Sequence, residues 1–187
     1  MKVVYLSAAT LFTALLAVGS YAASPAKTAI PSKILEASAG IVVGVPVAPL
    51  VDKLELECDD DPVLHTPADE CSTEATFPTW VGYVKEIAIA VNHGRVKWFD
   101  IRYSGVHSSG YGDPDALIKV MEHEWGKPKV ESRQIMTLHT KTYSWRRGAV
   151  DYSVVLNSGV NMQGAPITGF SLIVEPPAAA TKGDAAQ

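Results

Sequence analysis

The sequence predicts an α+β fold, with an antiparallel sheet packed against two short helices, arranged as two helix-then-strands half-units. Two stretches space their apolar residues at helical intervals between proline and glycine signals, and several others alternate apolar and polar residues at the period of a strand. Each helical stretch precedes strand-like text. The pentapeptide "LVDKL" at Leu50 to Leu54 echoes "LIKVM" at Leu117 to Met121, a slight match that a half-unit repeat or simply two amphipathic helices would produce.

In chain order, Val47, Leu50, Val51 and Leu54 fall on one face of a short helix opened by Pro46, with Pro49 in the first turn, where a missing amide is tolerated. The second helix is spelled by "GDPDALIKVMEHEWGKP". Asp113 is its cap, Pro114 its first residue, and Gly126 with Pro128 its stop. Leu117, Val120, Met121 and Trp125 share the side expected to face the sheet.

Between the helices, Ile87, Ile89 and Val91 alternate with small residues, turn through Asn92, His93 and Gly94, and resume at Val96 and Trp98 as a hairpin. The apolar phase then moves to Phe99, Ile101 and Tyr103, which requires an inserted residue if one face stays buried. A second hairpin has Tyr143 and Trp145 before the turn "RRG" and Val150, Tyr152, Val154 and Leu156 after it. A polar loop, "NSGVNMQGAPITG", leads to a last strand through Phe170, Leu172 and Val174.

The ends read differently. Residues 1–22 hold one lysine, an uncharged apolar run and a small-x-small site at Ser20 to Ala22, the order of a secretory signal peptide. Residues 23–40 read as a flexible linker, 41–174 as a single α+β domain, and 175–187 as a disordered tail, both flanks being poor in large apolar groups. About 165 residues remain after the leader, enough for one core of ordinary size. No later stretch is long and apolar enough to span a bilayer, so stable membrane insertion is not expected after cleavage.

The formal net charge is −4, and becomes −5 without Lys2. With no basic run beyond Arg146 and Arg147, nucleic acid is not an expected partner.

Chemistry-bearing residues concentrate in "LECDDDPVLHTPADECST", Leu56 to Thr73, which holds both cysteines. In an exported chain, Cys58 and Cys71 are expected to form a disulfide, which removes both thiolates as metal ligands. Asp59, Asp60, Asp61, His65, Asp69 and Glu70 remain, but calcium loops space their carboxylates alternately around a glycine, and this loop has contiguous aspartates and two prolines instead. A solvated acidic loop is the expectation, with no metal and no cofactor. The five histidines lie in different elements, and no Gly-x-Ser-x-Gly elbow or phosphate-binding glycine loop is spelled, so an enzyme is not expected.

Aromatics offer another candidate. Spacing assigns Trp98, Trp125 and Tyr152 to the core, whereas Trp145 beside Arg146 and Arg147 at a hairpin tip, and Tyr111 in a glycine-rich loop, are the candidate binding residues, the competing reading being an ordinary basic turn with Trp145 in the core.

The text "LIKVMEHEWGKP" followed by "TYSWRRGAVDYSVVL", with "GIVVGVP" at Gly40 to Pro46 opening the first half, resembles the helix-plus-sheet units of the beta-lactamase inhibitory protein group and of the SmpA/OmlA outer-membrane-assembly lipoproteins. Members of those groups present a sheet face or loops to another protein. The resemblance implies a bacterial envelope protein, periplasmic or secreted, acting as a non-enzymatic protein-binding module of the inhibitor, immunity or assembly-accessory kind. The chain lacks the lipid-bearing cysteine of the lipoprotein branch. The alternatives are a small-molecule or metal-binding periplasmic protein, and a hydrolase in which His107 or His139 meets a serine or carboxylate.

Overall fold

A computed structural model describes residues 29–59, 70–74, 76–104, 113–160 and 164–177. Among them are nine strands in one antiparallel sheet and three short helices, so the molecule is mainly sheet. The strand order is β1-β2-β4-β5-β9-β8-β7-β6, with β3 also paired to β4.

The first helix, α1 (Ser32–Ala37), lies in the stretch expected to be a flexible linker. That expectation is corrected by packing. Ile34 and Ala37 are fully buried, and the Trp80 indole N–H donates to the Lys33 carbonyl at 2.8 Å. Two apolar side chains in a polar-looking segment suffice to dock a helix whose faces the composition does not separate. The helix α2 (Ala48–Leu54) starts two residues after Pro46, with Pro49 in its first turn and Leu50 and Leu54 in the core. Pro46 instead bridges to Arg95.

The cysteine-bounded segment opens and closes in strands, β1 (Glu57–Cys58) and β2 (Glu70–Thr73), and a third short strand, β3 (Phe77–Thr79), follows. The hairpin of β4 (Gly82–Asn92) and β5 (Arg95–Tyr103) is as the sequence reads, with His93 and Gly94 both at positive φ in its turn. The inserted residue is Lys97: Ala90 faces Trp98, yet Val91 faces Val96. This bulge lets Val96 and Phe99 both be buried although their spacing is odd. It also turns Trp98, expected in the core, toward the other face opposite Ala90, where it is half-buried.

The helix α3 (Pro114–Trp125) is capped by Asp113, whose Oδ1 accepts from the Ala116 amide at 2.9 Å. Leu117, Ile118 and Met121 are buried. Four strands follow: β6 (Lys129–Ile135), β7 (Leu138–Arg147), β8 (Val150–Val160) and β9 (Pro166–Glu175). Much of the expected polar loop is strand, because β8 runs on to Val160 and β9 begins at Pro166, paired residue by residue.

The core lies where the helices meet one face of the sheet, around Ile87, Ile101, Leu117, Met121 and Leu172. The β5–β9 pairing joins the strands before α3 to those after it, and Tyr103 stacks on Phe170 across the seam at 4.4 Å.

Candidate protein-contact surface

The Trp-Arg-Arg segment forms the end of β7, and the turn is Gly148 and Ala149. Trp145 is not at the surface. It is 4% exposed, and its indole N–H donates to the Gly126 carbonyl at 2.8 Å. The Arg147 guanidinium lies 5.7 Å from the centre of the Trp125 ring, which also packs against Tyr152 at 4.7 Å. These contacts clasp the C-terminal end of α3 to the sheet. Arg146 is exposed and makes a two-pronged ion pair with Asp151, at 2.7 and 2.6 Å, which holds the Asp151 carboxyl below its ordinary range. Tyr111 lies outside the described residues, as do His65, His107 and residues 60–69 of the acidic loop.

Cys58 and Cys71 face each other directly across β1 and β2, with their sulfurs at disulfide-bonding distance. The pairing expected from the sequence is therefore geometrically in place. Among the described residues no group of three or more His, Cys, Asp or Glu side chains is arranged to hold a metal, and no helix is long and apolar enough to cross a membrane. His93, His123 and His139 are exposed, on the β4–β5 turn, α3 and β7.

The surface that the sequence did not single out is the far end of the sheet. All seven residues of β6 are exposed, and among the described residues no strand pairs with its outer edge. Tracing the register across the strands, Ser132, Lys141 and Leu156 share a row, and so do Gln134, His139 and Ser158. Both rows continue the face that carries Tyr143 and Val154 above the core, and here they line an open depression of about 640 Å³.

At the tip, the two-residue turn Met136–Thr137 leans on β8. The Thr137 hydroxyl donates to the Val160 carbonyl at 2.8 Å, and Gly159 abuts the Thr137 backbone so closely that a Cβ there would clash with its carbonyl oxygen. Apolar side chains are left outside: Ile135 is 52%, Met136 90% and Val160 41% exposed. A run of polar and charged letters, "KVESRQI", with a single interior valine, gave no strand signal. An edge strand exposed on both faces has no apolar alternation to show.

No family model, curated protein or solved structure matches the chain. What the geometry defines is a class: a mainly antiparallel sheet protein, helices on one face, with a long edge strand that no other described strand pairs and an apolar tip.

Proposed function

We propose that this chain is an exported, non-enzymatic protein-binding module of the bacterial envelope, of the inhibitor, immunity or assembly-accessory kind. Its contact surface is the β6–β7 end of the sheet. One observation carries the reading: seven consecutive edge-strand residues exposed beside a tip of Ile135, Met136 and Val160. Unpaired strand edges and clustered apolar side chains are the two features by which sheet proteins add a partner. The leader-like residues 1–22 and the Cys58–Cys71 pair support export, since disulfides persist in oxidising compartments. The resemblance to the beta-lactamase inhibitory protein and SmpA/OmlA groups supports the same mode of action, as does the pair of helix-led halves.

A photo-crosslinking residue placed at Met136 tests it, with one at the exposed Asp52 of α2 as control. In envelope extracts the Met136 probe is expected to capture a discrete species that the Asp52 probe does not. The double variant Ile135→Asp, Met136→Asp is expected to lose that species while keeping its far-UV circular dichroism. Retention of every captured species by the double variant would refute this surface.

A further inference from the structure

We infer that β6 pairs edge to edge with β6 of a second copy of this chain, antiparallel, about a two-fold axis at Ser132. This rests on reading the β6–β7 end as the contact surface and names its occupant. The first support is the direction of the free backbone groups. A two-residue loop closes a hairpin on a mutually hydrogen-bonded pair, here Ile135 and Leu138, so the odd-numbered residues of β6 spend their amides and carbonyls on β7. Val130, Ser132 and Gln134 therefore point theirs outward.

Antiparallel pairing about Ser132 sets Val130 against Gln134 of the second copy, Ser132 against its counterpart, and Gln134 against Val130 of the second copy. Every outward donor and acceptor then meets one, with two hydrogen bonds per pair. Shifts of one residue fail because they oppose outward groups to groups already bonded to β7.

The second support is charge. Charges on an edge strand ordinarily discourage pairing. In β6 they run Lys129, Glu131, Arg133 on one face, and the axis at Ser132 places Glu131 of each copy directly opposite Arg133 of the other. These are the non-hydrogen-bonded positions, where facing side chains approach most closely. The neighbouring registers lose this match. An axis at Glu131 opposes Glu131 to itself and Lys129 to Arg133, and one at Arg133 opposes Arg133 to itself. An axis at Val130 also opposes opposite charges, Lys129 to Glu131, but brings Pro128, which has no amide, against Ser132, and one at Gln134 runs into the turn, where Met136 has φ 51°. Glu131 already holds Lys129 at 2.6 Å, so its carboxylate would sit between two cations. Such a contact is isologous and closes on itself.

The test is sedimentation equilibrium of the mature protein and four variants, each checked by circular dichroism. The wild type is expected to show concentration-dependent dimers. Glu131→Arg and Arg133→Glu each reverse both symmetric pairs and are expected to weaken dimerisation about tenfold or more. An equimolar mixture of the two, in which every facing pair is again opposite in sign, is expected to recover it, as is the double reversal in one chain. Ser132→Pro removes an outward amide without touching the β6–β7 ladder and is expected to abolish dimers. A wild type that stays monomeric, or a dimer indifferent to these changes, would overturn the inference. If the Met136 probe then captures a different protein, the contact surface stands and only self-pairing falls; if that probe also captures nothing, both fall.

Discussion

Asp100 shows how one side chain on the face away from the helices ties stability to pH. It lies between Ala88 and Ile173, and its Oδ2 accepts from the Arg102 guanidinium at 3.2 Å. Burial pushes its carboxyl above the ordinary 3.8, against the pull of Arg102. A raised carboxyl holds its proton more tightly in the folded chain than in the unfolded one. Its contribution is therefore fully present below 3.8 and is lost as pH rises through the folded value. Asp100→Asn cannot ionise. Its melting temperature should match or trail the wild type's below about pH 3 and gain on it as pH approaches neutrality. Thermal melts across that range check this, and a pH-independent difference would mean that the carboxyl is not raised in the folded chain. Trp145 makes the opposite case, a residue whose letter suggested binding and whose place is the core. Trp145→Ala should cost about 3–5 kcal/mol in urea unfolding, through the cavity and the orphaned Gly126 carbonyl. The sequence context, Trp beside two arginines before a glycine turn, is common to a solvent-facing tip and to a helix clasp. Only the position of α3 separates them.

At the scale of elements, legibility followed periodicity. The β4–β5 hairpin, its phase shift and the cap and stop of α3 were readable because each has a local cause: an alternating face, a bulge that preserves it, and an Asp-Pro start with a glycine end. Elements held mainly by distant partners were not. The edge strand β6 buries nothing and so leaves no pattern, and β2 hides inside an acidic, proline-bearing stretch where only Cys71 and Thr73 face inward. The helix α1 has six residues, too few to show a period, and its stability comes from what it meets. It plugs Ile34 into the core, offers the Lys33 carbonyl to Trp80 and accepts a hydrogen bond from the buried Tyr103 hydroxyl at Ala37. Ile34→Ala should therefore destabilise by about 2–5 kcal/mol, the range for a buried aliphatic truncated to alanine, despite lying outside the domain that the sequence outlines. Chemical denaturation measures it, and a change within about 0.5 kcal/mol would show that α1 is ornamental to the fold.

Across the whole molecule, the question is whether the strands before α3 and those after it are two separate halves or one unit. Among the described residues their strands meet only at β5 and β9, where Phe99 to Tyr103 run against Phe170 to Val174. The helix-facing side of that seam is dry: Phe99, Ile101, Phe170, Leu172 and Val174 are each no more than 2% exposed. Helices from both halves lie over it, since α1 touches α3 and both add side chains to the same core. A seam of this kind couples the halves, because splitting it would expose apolar area on both sides at once. The chain should unfold in a single step. Amide resonances of the β4–β5 hairpin in the first half and of the β7–β8 hairpin in the second, followed one by one through a denaturant titration, are expected to trace the same denaturation curve. Leu172→Ala, at the seam, should shift both signals together by about 2–5 kcal/mol. Two separated transitions, with the variant moving only the later strands, would mean that each helix-led half folds by itself and that the sheet is two units laid side by side.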